Sequence, residues 1–215
     1  MMHFETPEGP IAPRISKLTV AGWTGRDQAA VTHHIEELAA LGVPRPSATP
    51  LFYAVSPDRL TQTDRITTLS GETSGEAEPL LLNHDGRLWL GLGSDHTDRG
   101  LEAHSVAHAK EICPKPVATL LVPFAPEIAE RAELACRIDE GAGWIDYQSG
   151  PLTAILPLGD LLTANPLSPG EAMLCGTLPA IGGVRPGRAF SMSLTLPDGE
   201  AITLTYAVDP LPVIA

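Results

Sequence analysis

Residues 76–99 read EAEPLLLNHDGRLWLGLGSDHTDR, and this stretch gives the clearest structural prediction in the sequence. Two short β-like pieces, EAEPLLL and RLWLGLG, flank the tetrapeptide Asn83-His84-Asp85-Gly86. An Asp-Gly pair between two apolar runs is a strong signal for a tight hairpin turn. The stretch therefore predicts a β-hairpin, with Glu76 at the start of its first strand and Asp95 at the end of its second.

The N-terminal part of the chain predicts one strand and one helix. Residues 15–23, ISKLTVAGW, are β-like, although their alternation is imperfect. Thr24 offers an N-cap for a helix from Arg26 to Leu41, and Gly42 offers a stop at its C-terminal end. Apolar residues recur along this helix at helical spacing and predict one buried face; they are Val31, Ile35, Leu38 and Leu41.

The C-terminal half predicts two more helices and then a series of strands. We expect helices over residues 101–112 and 126–136, and strands with Gly/Pro turns over residues 143–158 and 170–214. Near the end, Asp198-Gly199 predicts a second hairpin. The sum is an α+β fold, rich in strands and with few short helices, in a single domain over residues 1–215.

The composition agrees with a strand-rich globular protein. Of the 215 residues, 43% are hydrophobic and 19% are charged, which excludes general disorder. The 20 Gly and 21 Pro residues break the chain into short elements and so favour strands over long helices. The formal net charge of −12 argues against a nucleic acid or an anionic membrane as partner, because it would repel both.

The sequence also carries signals about cellular compartment. No apolar stretch approaches the ~20 residues that a membrane span needs, and the first residues lack the pattern of a signal peptide. The three cysteines are widely spaced, so they predict neither a disulfide framework nor a zinc ribbon. We therefore expect a cytoplasmic protein with reduced, mostly buried cysteines.

The pair Glu76-x-Glu78 is the first candidate for chemistry. Residues two apart on a strand face the same side, so both carboxylates would point into one space. Two like charges held together are costly unless a cation or a proton lies between them, which makes the pair a natural site for a hard metal ion. The alternative is a solvated strand face.

Asp95 is placed at a strand end, where it can join the glutamate pair. Three carboxylates with water would suit Mg²⁺ or Mn²⁺. An N-cap or Asx turn is the alternative role for Asp95 or Asp98. A competing zinc site would use His104 and His108, which are four apart, with His96 nearby, but the sequence lacks the glutamate of an HExxH motif.

Two further segments could contribute to a site. In HHIEEL, His34 and Glu37 are three apart on the predicted first helix, so Glu37 could orient His34 as a base; an exposed hydrogen-bonded couple is the alternative. In residues 169–187, PGEAMLCGTLPAIGGVRPG, the glycines and prolines would let the backbone approach a ligand closely. Two tight turns between strands would explain the same pattern.

These segments occur in the order seen in the fumarylacetoacetate hydrolase superfamily, and the chain resembles it over roughly residues 30–190. Residues 169–187 resemble the PGDxIxTGTPAGVGxxxPG segment, SDHTDR resembles the NDVSAR motif, and Gly75 to Glu78 resemble the strand with the E-x-E pair. HHIEEL is similar to the lid segment, and Ala109-Lys110 to the region of the active-site lysine. The sequence looks like an uncharacterised branch of the superfamily, a domain of unknown function.

The resemblance implies a β-rich fold, a mixed β-sandwich or roll, and a set of site residues. Metal ligands to Mg²⁺ or Mn²⁺ would be Glu76, Glu78 and Asp95. The catalytic residues would be His34, Glu37 and Lys110, and the substrate contacts Gly176, Thr177 and Arg99. It further implies a homodimer and a small dicarbonyl or 2-oxo acid as substrate.

This sequence departs from the superfamily pattern at the substrate contacts. Ser94, Thr97 and Asp98 replace residues of NDVSAR, and Ala54 stands where a lysine is often found. The expected reaction is C–C bond hydrolysis through a metal-stabilised enolate. A decarboxylase, a keto–enol isomerase, or a module that binds metal without catalysis are the alternatives.

Overall fold

The computed structural model describes residues 2–40 and 45–212, leaving out the side chains of residues 34, 37 and 38. Strands account for most of the regular structure, as the sequence predicts. In chain order they are β1 Lys17–Gly22, β2 Leu51–Val55, β3 Leu60–Thr61, β4 Arg65–Thr68, β5 Thr73–Ser74, β6 Ala77–His84, β7 Arg87–Ser94, β8 Thr97–Asp98, β9 Lys115–Pro116, β10 Val122–Pro123, β11 Glu133–Asp139, β12 Trp144–Pro151, β13 Glu171–Leu174, β14 Ala189–Thr195 and β15 Ala201–Pro210.

The helices are short, apart from the first. They are α1 Gln28–Ala40, α2 Arg99–Glu102, α3 Val106–Glu111, α4 Pro126–Ala129 and α5 Leu158–Ala164. Single turns of 3-10 helix occur at Pro57–Arg59 and Leu152–Ala154. No helix among the described residues is long and apolar enough to cross a membrane.

Two sheets carry the fold. The six-stranded sheet has the order β10-β7-β6-β13-β1-β2, and the five-stranded sheet has the order β12-β11-β14-β15-β4. In the six-stranded sheet β1 and β13 run parallel, and every other pair is antiparallel. The short pairs β3-β9 and β5-β8 lie outside both sheets. The fold is therefore the mixed, strand-rich sandwich that the sequence predicts.

The six-stranded sheet is buried on both faces. One apolar cluster joins it to the five-stranded sheet, with Leu81 and Leu90 from one sheet and Leu134 and Ile202 from the other. A second cluster covers its opposite face, where Phe4 packs with residues such as Leu80 and Leu82. Strands buried on both faces lose the apolar–polar alternation, which explains the continuous run at residues 80–82 and the imperfect pattern of β1.

The central hairpin confirms the turn prediction. Strands β6 and β7 pair from Ala77↔Ser94 to His84↔Arg87. The two turn residues have positive φ, 52° at Asp85 and 84° at Gly86. Positive φ at both central positions is what a type I′ turn requires, and Asp-Gly tolerates it. The predicted Asp198-Gly199 hairpin is likewise present between β14 and β15.

Three helix predictions are partly wrong. The segment over 101–112 is divided into α2 and α3, because Asp98 and Ser105 each cap a new helix start. The segment over 126–136 ends at Ala129, and the chain then enters β11. At α1, the side chain that accepts the first N–H groups belongs to Asp27 and not to Thr24.

The predicted apolar face of α1 is the less exposed face where it is described, but it is not fully buried. Val31 and Ile35 are only half-buried, and the other described side chains of α1 are half-buried or exposed. Leu38 lies outside the described side chains, and the predicted end at Leu41 and Gly42 lies outside the described residues. The three cysteines are buried and free, as predicted.

Candidate active site

The candidate site lies at one edge of the six-stranded sheet. Because β1 and β13 run parallel, the residues that follow them leave the sheet at the same edge. Strand β6 begins there and β7 ends there, since Ala77 pairs with Ser94. The predicted metal ligands and the Gly176-Thr177 segment are therefore brought together by sheet topology.

The open end of the central hairpin holds the three carboxylates. The backbone N–H of Asp95 donates to the carbonyl of Glu76 at 3.0 Å, so the two residues are neighbours across the hairpin. Asp95 is fully buried and Glu78 is 2% exposed, while the Glu76 side chain is 15% exposed. Burial on this scale excludes a solvated strand face for Glu78.

Two lysines neutralise Asp95. The ammonium of Lys110, on α3, donates to Asp95 Oδ2, and Nζ of Lys115, on β9, lies 3.0 Å from Oδ1. Burial alone would raise the pKa of the Asp95 carboxyl, but the two ammonium groups hold it well below its usual value. Asp95 is therefore ionised and shared between two cations.

Glu76 is paired with Arg99 at the outer side of the cluster. Arg99 Nη2 donates to Glu76 Oε2 at 2.8 Å, Nη1 donates to Glu102 at 2.8 Å, and Nε donates to Ser74 Oγ at 2.6 Å. Burial alone would lower the pKa of Arg99, but the neighbouring carboxylates of Glu76 and Glu102 raise it above its usual value. The Arg99 guanidinium, a predicted substrate contact, is therefore already hydrogen-bonded to side chains of the protein.

The Gly176-Thr177 segment supports Glu78. The backbone N–H of Gly176 donates to Glu78 Oε2 at 2.8 Å, and the Thr177 hydroxyl donates to the carbonyl of Ala77 at 2.7 Å. Burial, reinforced by the nearby charge of Asp95, raises the pKa of Glu78 well above its usual value. Glu78 is therefore the carboxylate of the cluster that most readily holds a proton.

Gln148 fixes this segment from the second sheet. Its Oε1 accepts from the N–H of Ala77 at 2.9 Å, and its Nε2 donates to Thr177 Oγ1 at 2.7 Å and to the carbonyl of Leu178 at 2.6 Å. With its amide oxygen and nitrogen both bonded, Gln148 is an anchor for the site.

As the side chains stand, no group of three or more His, Cys, Asp or Glu residues in the described part of the chain can hold a metal ion. The ion pairs give the reason, because Glu76 faces Arg99 and Asp95 faces two lysines. The donors still suit a hard divalent cation in kind, since three carboxylates meet at one edge. The charge of Lys110 interacts with all three of them, so a protein cation already stands in for such an ion.

One buried oxygen of the cluster also lacks a hydrogen bond. Asp95 Oδ1 has no donor in hydrogen-bond geometry, although Lys115 Nζ lies 3.0 Å away. An under-satisfied carboxylate oxygen beside a cation-filled cluster is compatible with a metal ligand. The carboxylates thus have the donor chemistry that suits Mg²⁺ or Mn²⁺, but not the arrangement, and binding would require Lys110 to give up its contact with Asp95.

The remaining sequence candidates have different positions. Positions 34 and 37 belong to α1, but the side chains of His34 and Glu37 lie outside the described ones. His104 and His108 are exposed, and the break between α2 and α3 separates them. Asp98 is the N-cap of α2, where it accepts from the N–H of Leu101 at 2.9 Å, so the capping role predicted as an alternative is present.

His96 is buried as a structural residue. Nδ1 of His96 lies 3.0 Å from the Tyr206 hydroxyl, and Nε2 lies 2.9 Å from Thr73 Oγ1. Burial, together with the charges of Lys115 and Arg99, lowers the pKa of His96 well below its usual value. Both ring nitrogens have protein partners, which argues against a zinc-ligand role.

Sequence reasoning missed Lys115 and Gln148. Lys115 lies between Pro114 and Pro116, and a lysine in such a rigid, weakly polar segment is a faint signal of burial. Gln148 gives no signal, because its partners come from β6 and from the loop after β13, which are distant in sequence.

Comparison with known proteins agrees with this architecture. Residues 21–206 match the profile of a family described as "Protein of unknown function (DUF2848)". No curated protein matches the sequence.

Several solved structures share the fold. A candidate fumarylacetoacetate isomerase/hydrolase from Oleispira antarctica has a TM-score of 0.69 at 18% identity, with 97% of this chain and 100% of the other covered. A candidate fumarylpyruvate hydrolase from Burkholderia cenocepacia has a TM-score of 0.68 at 18% identity, covering 98% and 92%. The 2-hydroxyhepta-2,4-diene-1,7-dioate isomerase from Mycobacterium marinum has a TM-score of 0.63 at 17% identity, with 92% of this chain and 76% of the other covered. At these identities the likeness establishes the fold, and it confirms the predicted fumarylacetoacetate hydrolase-like architecture.

Proposed function

This chain belongs to the DUF2848 family, and from that premise we propose that it is an enzyme that hydrolyses a C–C bond in a small dicarbonyl or 2-oxo acid. The observation that carries the proposal is the buried cluster of Glu78, Asp95 and Lys110 at the sheet edge. Buried ionised groups are costly to maintain, and strongly shifted pKa values concentrate at functional sites. The fold shared with fumarylacetoacetate hydrolase-like proteins gives the substrate class.

Breaking a C–C bond next to a carbonyl leaves an electron pair that an enolate oxygen must accept. A fixed positive charge near that oxygen lowers the barrier, because it stabilises charge that develops in the transition state. Lys110 is suited to this task, since Asp95, Glu76 and Glu78 raise its pKa above the usual value despite burial. It therefore acts as a permanent ammonium and not as a proton acceptor.

The three carboxylates are proposed to hold Mg²⁺ or Mn²⁺. Glu76, Glu78 and Asp95 would be its ligands, and the ion would supply Lewis-acid stabilisation of an enolate oxygen. The elevated pKa of Glu78 implies that this carboxyl must lose its proton before it can serve as a ligand.

The general base is proposed to be His34, oriented by Glu37. Both positions are on α1, which follows β1 from the same sheet edge. A neutral imidazole can take a proton from water at neutral pH, since its unperturbed pKa is about 6.5. The attacking water would thus be activated from the α1 side of the cluster.

Gly176, Thr177 and Arg99 remain the proposed substrate contacts. Each of them already has a partner within the protein: Arg99 bonds to Glu76, the Gly176 N–H to Glu78, and the Thr177 hydroxyl to the Ala77 carbonyl. Substrate binding would be a second role for each. A homodimer also remains part of the proposal, and it rests on the resemblance to the superfamily.

A decarboxylase or an isomerase on the same substrate class is the second candidate. Both reactions pass through an enolate, and one solved structure with this fold is described as an isomerase. The placement of water by the α1 side chains would separate hydrolysis from these reactions. A module that binds a metal and a ligand without turnover is the alternative from outside the enzymes.

A test of the proposal assays acylpyruvates and oxaloacetate with Mn²⁺ or Mg²⁺. We expect hydrolysis of an acylpyruvate by the wild type and at least a roughly 100-fold lower kcat for Lys110→Met, the size typical of losing one electrostatic donor. Lys17→Met is the matched control, because Lys17 is exposed on β1 with its side chain 45% accessible. Release of CO₂ from oxaloacetate would favour the decarboxylase, and ligand binding without turnover would contradict the enzyme.

A further inference from the structure

Lys115 is a fully buried lysine that the resemblance to the superfamily does not assign. It begins β9, which pairs with β3, and its side chain has no exposed surface. Prolines flank it on both sides, and their fixed φ makes this backbone stiff. The backbone position of Lys115 is therefore well fixed.

The ammonium of Lys115 touches the loop that carries Asp95 at two points. It donates to the carbonyl of His96, and it lies 3.0 Å from Asp95 Oδ1. Lys110 occupies the other oxygen of the same carboxylate. A single aspartate thus balances one of two buried ammonium groups, and the charges of Glu76 and Glu78 also act on Lys110.

Once Glu78 has lost its proton, as a metal ligand must, the charges of the inner cluster cancel before any ion is counted. The cluster then contains two carboxylates, Glu78 and Asp95, and two ammonium groups, Lys110 and Lys115. Burial lowers the pKa of Lys115, and the neighbouring Asp95 opposes that shift and favours the charged form. Glu76 is balanced by Arg99. Glu102, which also contacts Arg99, has a side chain that is 28% exposed, so solvent screens its charge.

A divalent cation would leave this buried cluster with an excess of two positive charges. Uncompensated charge in a buried site carries a large desolvation cost. A ligand with two negative charges and two chelating oxygens would cancel the excess. The enolate form of a 2-oxo acid has this charge and this shape, and oxalate is a stable compound with both.

We infer that Lys115 makes metal binding depend on substrate binding, so that the cluster takes a divalent cation tightly only together with a dianionic, chelating 2-oxo acid enolate or its analogue. This inference rests on the metal site of the proposed function. Lys115 is a positioning residue in this account, because it acts through Asp95 and through the charge of the cluster. Coupling is reciprocal, so the ion must strengthen binding of the dianion by the same factor.

The coupling is measured on the full chain with Mn²⁺ and oxalate. Mn²⁺ titrations followed by electron paramagnetic resonance, with and without oxalate, give the metal affinities, and calorimetric titration of oxalate with and without Mn²⁺ gives the reciprocal arm. We expect oxalate to tighten Mn²⁺ binding to the wild type by a factor within the roughly 5- to 150-fold range usual for coupled sites. Each titration is corrected for the Mn²⁺–oxalate complex in solution.

Substitution of Lys115 separates its charge from its packing. Lys115→Met should bind Mn²⁺ alone more tightly than the wild type and should show a smaller oxalate effect. Lys115→Arg keeps the charge and should keep most of the coupling. Lys17→Met removes the same charge at an exposed position on β1, so it should leave both affinities unchanged. Circular dichroism establishes that each variant is folded, and the wild-type comparison needs no variant.

Two results would overturn the inference while leaving the proposed function intact. The first is equal Mn²⁺ affinity of the wild type with and without oxalate, and the second is an unchanged coupling factor in Lys115→Met. Failure of the wild type to bind Mn²⁺ under either condition has a different meaning, because it would remove the metal from the proposed function and the coupling with it.

Discussion

His96 shows at the scale of one residue how the site keeps a titratable group neutral. Its ring is fully buried and bonded through both nitrogens, to the Tyr206 hydroxyl and to Thr73 Oγ1. Burial and the positive charges of Lys115 and Arg99 lower its pKa. A proton on this ring would add a further positive charge beside Lys115 and Arg99.

The lowered pKa of His96 predicts a pH-dependent stability. In the unfolded chain His96 takes a proton near its ordinary pKa of 6.5, whereas the folded ring resists it. The contribution of neutral His96 to the free energy of unfolding is therefore complete above pH 6.5. It is lost as the pH falls below 6.5, by up to about 1.4 kcal/mol per pH unit. Urea denaturation of the metal-free protein at several pH values measures this slope.

The variant His96→Gln should flatten that part of the slope, even if its overall stability is lower. His104→Gln is the control, because His104 is exposed. Equal slopes for wild type and His96→Gln would show that the ring is not the group that resists protonation.

The predictability of single residues follows from how local their signals are. Glu76, Glu78 and Asp95 could be placed near each other because a tight turn fixes the register of one hairpin. Lys110 was reached only through the resemblance. Lys115 could not be placed, because its partner lies across an irregular connection that no periodic pattern describes.

The parallel pair of β1 and β13 shapes the site at the scale of elements. After β1 the chain reaches Thr24, and after β13 it reaches Gly176, whose φ is 93°. A Cβ on Gly176 would lie 1.7 Å from Thr24 Oγ1. The two strand ends therefore approach closely enough that only glycine fits, and this approach aims the Gly176 N–H at Glu78.

Gly176→Ala is expected to be strongly destabilising. The added methyl group meets Thr24 and also forces alanine into a left-handed backbone, so we expect a loss of roughly 3 kcal/mol or more in the free energy of unfolding. Gly159→Ala is the control, because Gly159 lies in α5 with no atom near its missing Cβ; alanine should stabilise it by about 0.5–1 kcal/mol. Similar denaturation midpoints for both variants would contradict the close approach.

The helix predictions failed where pairing between strands outweighed local preference. The residues before and within β11 include good helix formers, yet Glu133 to Asp139 pair with both β12 and β14. Their burial alternates along the strand, which is the pattern of a strand with one face on the core. Composition alone hides this alternation, because alanine and cysteine serve in either structure.

At the level of the whole molecule, one edge of the five-stranded sheet carries several exposed apolar side chains. Strand β12 ends the five-stranded sheet and exposes Trp144 and Ile145, by 37% and 47%. The loop after β13 joins it through the N–H of Ile181, which donates to the Tyr147 carbonyl, and exposes Ile181 and Val184. An edge strand with an apolar surface is suited to association with another chain.

The predicted homodimer is expected to use this edge. Light scattering should give a mass of twice 22.7 kDa for the wild type, and Ile145→Glu should shift it toward the monomer, because burying a carboxylate in an apolar contact is costly. Leu69→Glu is the control, since Leu69 is 55% exposed but lies outside this edge. A monomeric wild type, or a dimer that survives Ile145→Glu, would contradict the prediction.

Gln148 gives the sandwich a consequence beyond rigidity. Its one amide links β12 to the start of β6 and to the residues after Gly176. A displacement of one layer relative to the other would therefore also shift the backbone next to Glu78, at Ala77. Together with the Ser94–Tyr206 hydrogen bond between β7 and β15, Gln148 therefore ties the geometry of the candidate site to the alignment of the two layers.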